Sequence, residues 1–200
     1  MTRQGLLIVI SGPSGAGKGT ICQGLLKKNK DLCLSVSCTT RPVRPGEVDG
    51  VNYFFVSKEA FEKMISENEL LEYARVYDNY YGTPLNFVEE KLSTGQDVIL
   101  EIDIQGALQI KQKYPKGVLI FVVPPSLSLL QERLTKRGTD SAESINKRLQ
   151  CVCDELKNTQ RYDYLVVNDI VDNAVAQVES IINAERCRPA NFDIKKFLDC

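Results

Sequence analysis

The sequence predicts an α/β fold built on a parallel sheet. Short apolar, β-branched runs alternate with stretches of helical spacing, and a glycine-rich loop directly follows the first run. Residues 6–10, 32–36, 98–102, 118–123 and 164–167 read as strands, because apolar runs of this length suit strands covered on both faces. The intervening helical patterns imply right-handed crossovers between parallel strands. Thr83-Pro84 reads as a helix N-cap followed by proline at the first helical position, Ser126 and Asp172 read as further N-caps, and Gly95 and Gly138 as stops. Residues 37–83 break the alternation, being rich in Gly, Pro, Tyr and charge, with one strand at 53–56 and a short helix from 57 to about 67. They form an expected insertion in a core of residues 5–36, 84–128 and 155–185. A charged stretch at 133–148, between two helical patterns, places a lid at 129–154, and the tail after Ala184 reads as irregular.

Two hundred residues with 43% apolar content fit one domain. A net charge of −1 supplies no global positive field, so nucleic acid is not an expected partner and any anion site must be built locally. The seven cysteines are an odd number without a CxxC pair, and the chain has no histidine, which argues against a metal cluster. The first apolar run spans five residues, too few for a signal-peptide core or a membrane span. The expectation is a cytoplasmic protein with reduced thiols, no membrane contact and an oligomeric state left open.

The strongest chemical signal is Gly12-Pro13-Ser14-Gly15-Ala16-Gly17-Lys18-Gly19-Thr20, between a strand and a helical pattern. The spacing Gly12-x4-Gly17-Lys18 is that of a P-loop. Glycines let backbone N–H groups wrap a phosphate, the helix N-terminus adds its positive dipole end, and Lys18 adds a mobile charge. The loop departs from the usual pattern at Gly19, where Ser or Thr would ligate Mg²⁺, with Thr20 one place later. The loop therefore offers no strong protein ligand for Mg²⁺, and an ion arriving with a polyphosphate would lie near Thr20.

A P-loop alone fits many nucleotide enzymes, so the insertion must select the reaction. The segment Ser35-Val36-Ser37-Cys38-Thr39-Thr40-Arg41-Pro42-Val43-Arg44-Pro45-Gly46-Glu47 resembles the signature of guanylate kinases. So do Gly50-Val51-Asn52-Tyr53-Phe54, Leu71-Glu72-Tyr73-Ala74, Asn79-Tyr80-Tyr81-Gly82-Thr83 and Glu101-Ile102-Asp103-Ile104-Gln105-Gly106. The resemblance covers about residues 5–185, in the family's order and spacing. It implies a three-layer P-loop NTPase fold with an inserted GMP-binding α+β subdomain and a helical lid. The implied activity is transfer of the γ-phosphoryl group of ATP to GMP, and to dGMP, in purine nucleotide metabolism, with Mg²⁺ as cofactor.

The resemblance also implies residue roles that chemistry can check. Arg41 and Arg44 would grip the GMP phosphate, since guanidinium forks suit a dianion, and Tyr53 and Tyr81 would add neutral donors. Glu72 lies among apolar neighbours, where an ionised carboxylate needs dedicated donors; guanine N1–H and the 2-amino group form such a pair, whereas adenine does not. Ser37 and Thr83 would supply hydroxyls to the base edge. Glu101 and Asp103, two apart at a strand end, would point to one face, Glu101 toward guanine and Asp103 toward an arginine or the Mg²⁺ waters. Arg133, Arg137 and Arg148 are the lid cations, with Arg137 and Arg148 favoured at the γ-phosphate and Arg148 also reaching GMP, and Asn168 resembles the adenine-side turn. Cys38 falls where the family often has serine, which suggests an oxidation-sensitive thiol at the site. Two other readings stand beside this one: a non-catalytic phosphopeptide-binding module, which the intact Gly17-Lys18 and lid arginines disfavour, and a kinase of another small phosphate acceptor, which Glu72 with Ser37 disfavours.

Overall fold

The computed structural model describes residues 3–76, 78–136, 149–150, 152 and 154–192. Five strands make the central sheet: β1 (Leu7–Ser11), β2 (Leu32–Leu34), β7 (Asp97–Glu101), β8 (Val118–Val123) and β9 (Tyr164–Val167), in the order β2-β7-β1-β8-β9. Every pair is parallel, with Ile8 opposite Ile99 on one side and Val118 on the other. Side chains alternate along β1. Ile8 and Ile10 pack against Ile21 and Leu25 of α1 (Lys18–Lys28) and against Val175, Val178 and Ile182 of α6 (Val171–Arg186). Leu7 and Val9 pack on the opposite face, against Val88 and Leu92 of α3 (Leu85–Ser93) and Ala107 and Ile110 of α4 (Ile104–Lys113). Both faces of β1 are therefore dry, which is why its sequence is a continuous apolar run, and the helix–sheet–helix layering follows.

The break in alternation after β2 is a second sheet, ordered β4-β3-β6-β5. It holds β3 (Cys38–Thr39), β4 (Phe54–Phe55), β5 (Leu70–Val76) and β6 (Asn79–Pro84), covered by α2 (Lys58–Ser66). Only β4 and α2 were expected. The Ser57 side chain caps α2 by accepting from the Ala60 N–H, and fully buried Phe61 packs between Cys38 and Leu70 and stacks on Tyr80 at 5.2 Å. The longest strand, β5, escapes period-two patterning because its register shifts between Leu70 and Glu72, so Leu70, Leu71 and Glu72 are all buried.

Three expected boundaries differ. Thr83 is inside β6 and fully buried, so it does not cap α3; Pro84 takes the N-cap position without a side-chain bond. Asp172 lies in the first turn of α6 instead of at its cap, where its charge still suits the helix dipole. The tail is ordered further than expected: α6 runs to Arg186, a 3-10 turn covers Pro189–Asn191, and the Gln4 N–H donates to the Asn191 carbonyl at 3.1 Å. Ser126 does cap α5 (Leu127–Lys136), accepting from the Leu129 N–H, and Gly95 sits just past α3 at φ +84°. Gly138 lies outside the described residues. Among the described residues, no helix is long and apolar enough to cross a membrane.

Asp97, at the start of β7, has no exposed surface and ties the chain ends to the sheet. One carboxylate oxygen accepts from Arg3 at 2.6 Å and from the Leu6 N–H at 2.8 Å, and the other accepts from Arg186 at 2.7 Å. Removing this acid strands two cations and a buried N–H. Asp97→Ala is expected to lose about 3 kcal/mol of stability, measured as a lower denaturant midpoint at unchanged slope.

Candidate active site

The carboxyl ends of β1 and β7 open on one side of the sheet, where a ligand crevice of a parallel α/β fold is expected. A cleft of about 500 Å³ lies there, lined on one side by Gly12, Ser14, Gly15, Gly17, Lys18 and Gly19 and on the other by Ser37, Arg44, Tyr53, Glu72 and Tyr81, with Glu101 and Asp103 between. Gly12, Gly15 and Gly17 all have positive φ, and a Cβ on Gly12 would collide with the Val122 carbonyl. Gly17 is the N-cap of α1 with no side-chain hydrogen bond and no acid in the first turn. The first N–H groups of α1 are thus left for an anionic ligand.

Lys18 folds back over this loop, donating to the Gly12 carbonyl at 2.7 Å and to the Pro13 carbonyl at 3.1 Å. Burial lowers its pKa, opposed by the charges of Glu101, Glu155 and Asp103. Gly19 has a structural reason. A Cβ there would meet the Glu101 carboxylate at 3.3 and 3.4 Å, so the missing side chain makes room for that acid. Thr20 is exposed and does not line the cleft. Asp103 lies beyond β7 as the N-cap of α4, accepting from the Gly106 N–H at 2.8 Å; the helix cap, not strand pleating, aims it beside Glu101. Burial raises its pKa.

Across the cleft, Glu72 is buried. It accepts a 2.6 Å hydrogen bond from the Thr83 hydroxyl, and Gly106 stands so close that a Cβ would overlap its other oxygen. Burial pushes its pKa up to about 7, against the stabilising Thr83 bond. Thr83 is therefore directed at Glu72. Arg44 is exposed at the cleft, while Arg41 is withdrawn: its guanidinium pairs with Glu47 and lies over the rings of Tyr53 at 5.3 Å and Phe55 at 5.6 Å. Burial raises the pKa of Tyr53, whose ring meets Tyr81 edge-on at 6.0 Å.

Asn168 is placed behind the P-loop. It is 1% exposed, and its amide donates to the Ala16 carbonyl at 2.8 Å. Arg133 donates to the Asn168 carbonyl at 3.1 Å and does not line the cleft. Arg137 and Arg148 lie outside the described residues. Cys38 is in the core of the second sheet, where burial pushes its thiol up to about 11; an inert core thiol replaces the expected reactive one.

Glu47 and Glu155 were not anticipated. Glu155, in a helical stretch following the lid region, lines the cleft, and its Oε2 is buried without a partner among the described residues. Nothing in the sequence near Glu155 distinguishes it from a surface glutamate. Glu47 ends the arginine signature, three residues after Arg44, and that spacing was available as a signal.

Arranged in this way, the chain is a P-loop nucleotide-binding protein whose loop faces a second sheet across one cleft. The family model described as guanylate kinase matches residues 4–185. A guanylate kinase of Caldanaerobacter subterraneus subsp. tengcongensis is 59% identical over 186 residues, covering 93% of this chain and 90% of the relative. One from Clostridioides difficile is 54% identical over 198 residues, covering 98% and 97%. The crystal structure of guanylate kinase from Anaplasma phagocytophilum superposes with a TM-score of 0.83 at 31% identity, covering 98% of this chain and 94% of that one. The chain belongs to the guanylate kinase family.

Glu72 makes ligand-free stability pH-dependent. Its folded pKa stands above the ordinary carboxylate value, so its favourable contribution is complete below about pH 4.5 and is lost as pH rises through about 7. Glu72→Gln is therefore expected to melt at a higher temperature than the parent at about pH 8, with the difference shrinking toward about pH 5, in thermal scans without nucleotide.

Proposed function

We propose that this protein transfers the γ-phosphoryl group of ATP to GMP, giving ADP and GDP. The observation that carries this reading is the pairing, across one cleft, of an open P-loop helix terminus with a buried carboxylate built to accept paired donors. ATP would lie on Gly12–Thr20, with Lys18 released from the Gly12 and Pro13 carbonyls to the phosphates. Asn168 would act from behind, holding the Ala16 peptide in place. The GMP phosphate would meet Arg41, Arg44, Tyr53 and Tyr81. Its base would meet Glu72, Ser37 and the Glu101–Asp103 side of the cleft, with Thr83 orienting Glu72.

Base choice follows from desolvation. Guanine offers N1–H and the 2-amino group to an ionised Glu72, repaying the cost of burying the charge, whereas adenine turns a lone pair toward it. A site that depends on such bonds rejects the wrong ligand by about 10⁴-fold. Both guanine donors and an ionised Glu72 are needed together, so base binding is favoured above the pKa of that group.

Mg²⁺ fits this donor set. Glu101 and Asp103 supply hard oxygen ligands beside Lys18, the Gly19 position leaves space next to Glu101, and no group of three or more metal-ligating side chains gathers among the described residues. Such an ion would be held mainly through water and phosphate, with Asp103 and Glu101 its nearest acids. When bound, it neutralises charge on the β- and γ-phosphates. The acceptor oxygen is already deprotonated, so the side chains have to position the phosphates and compensate their charge, not supply a base. Arg137 and Arg148, which lie outside the described residues, would compensate charge at the transferring group, while Arg133 would act from behind through the Asn168 carbonyl.

The test is ADP formation from ATP and Mg²⁺ with GMP, AMP, CMP or UMP as acceptor. Turnover is expected with GMP, at least about 10⁴-fold above AMP in kcat/KM. Lys18→Ala is expected to lower kcat by about 10² or more. Absence of turnover with all four acceptors from folded protein would overturn the assignment.

A further inference from the structure

Arg41 and Glu47 form the most completely specified polar contact in the second sheet region, and Glu47 has no role in the activity described above. Arg41 Nη1 donates to Glu47 Oε2 at 2.9 Å and Nη2 donates to Glu47 Oε1 at 2.8 Å, a two-bond pair across the end of the guanidinium. Nη1, the nitrogen on the Cδ side, also donates to the Pro42 carbonyl at 2.7 Å. The same carboxylate accepts from the Arg44 N–H at 2.8 Å. The loop between them closes as a turn in which the Glu47 N–H donates to the Arg44 carbonyl at 3.1 Å, with Pro45 and then Gly46 at φ +85° in the positions such a turn requires.

A guanidinium has five N–H donors in a rigid plane. Three are spent on Glu47 and Pro42. The other two, Nε–H and the outward Nη2–H, are parallel and adjacent, the side-on fork geometry that binds two oxygens of a phosphate or carboxylate, and the Tyr81 hydroxyl is a further hydrogen-bond partner of this guanidinium. The Arg41 Cζ lies over the Tyr53 ring at 5.3 Å and over the Phe55 ring at 5.6 Å. Rotation about Cζ or tilt of the plane would break the Glu47 pair or lose the ring contacts. Arg41 is only 9% exposed, so these contacts hold the guanidinium in one orientation.

We propose that Glu47 is a positioning residue for the phosphoryl acceptor: it holds the end-on edge of Arg41 so that the side-on edge, with Tyr81, is presented to the acceptor phosphate, and it reduces the joint charge of Arg41 and Arg44 from +2 to +1. This inference rests on the reading of Arg41 as a phosphate ligand. The charge reduction has its own consequence. The acceptor phosphate is also the nucleophile, and a site with one cation fewer polarises its oxygens less and binds the more highly charged product less tightly.

The experiment is calorimetric titration of the full chain with GMP and with guanosine, which shares the base and sugar but lacks the phosphate, using the parent, Glu47→Ala, Glu47→Gln, Arg41→Ala and the Arg41→Ala/Glu47→Ala double variant. Glu47→Ala is expected to weaken GMP by about tenfold or more while guanosine stays within about twofold. Glu47→Gln, which keeps the shape but loses the charge and one acceptor, is expected to fall between the parent and the alanine variant. The double variant is expected to bind GMP no more weakly than Arg41→Ala alone, because the two residues act as one unit. In steady state the GMP KM rises while the ATP KM does not. Equal loss of GMP and guanosine would make Glu47 a loop-folding residue and overturn the proposal. Unchanged or tighter GMP binding in Glu47→Ala, with Arg41→Ala impaired, would overturn it too, showing that Glu47 is idle or competes with the phosphate. GMP binding unaffected by Arg41→Ala would overturn the assignment of Arg41 and this inference with it.

Discussion

The Asn168 amide reaches from the end of β9 to the Ala16 carbonyl, 2.8 Å away, and leaves no room for a Cβ on Gly17. The P-loop is thereby pressed against the ends of β8 and β9, with Gly12 equally close to the Val122 carbonyl. This close approach dictates the rest of the site. It turns the first N–H groups of α1 toward the cleft, brings Lys18 within reach of two loop carbonyls, and sets Gly19 against Glu101. Its cost is visible in the Asn168 Oδ1 atom, buried without a partner among the described residues. Such a cost is tolerated where a packed core of Ile8, Ile10, Val122 and Ala16 holds the surroundings in place.

Charge is handled in opposite ways on the two sides of the cleft. Lys18 is desolvated but surrounded by Glu101, Glu155 and Asp103, so the P-loop side carries more acid than base. Glu72 is desolvated, and the Thr83 hydrogen bonds and the Lys113 charge offset that burial only in part, so its pKa rises. The first arrangement suits a ligand that arrives with a divalent cation, and the second suits a neutral ring with paired N–H donors. Arg41 is a third case: a cation whose partner, Glu47, consumes one edge and leaves the other, so the pair is both electrostatically moderated and geometrically defined.

Much of this was legible in the residues. The central strands β1, β7 and β8 were recognisable because they are buried on both faces, and burial on both faces demands continuous apolar sequence, whereas β9 at the edge was recognisable by its apolar run although Leu165 and Val167 are exposed. The P-loop was recognisable because close phosphate approach demands glycines at set intervals. The second sheet was less legible. β3 is two residues long, β6 contains Gly82 and ends at Pro84, and the irregular register of β5 hides its alternation. Thr83-Pro84 imitates a helix start for the same reason, since a local pattern cannot show that the hydroxyl is engaged by Glu72 from the neighbouring strand.

The sequence by itself determined the α/β class, the order of core strands and helices, the phosphate loop, and the residue types available for a purine monophosphate. These follow from periodicity, glycine spacing and motifs that act within a few residues of one another. Only the tertiary structure decided that Thr83 serves Glu72, that Asn168 braces the loop from behind, that Cys38 is core, that Asp97 gathers Arg3 and Arg186, and that Glu155 looks into the cleft. Each joins residues brought together by strand pairing or by a helix returning to the sheet. Burial and hydrogen-bond partners at such junctions depend on three-dimensional proximity, which no local pattern in the chain encodes.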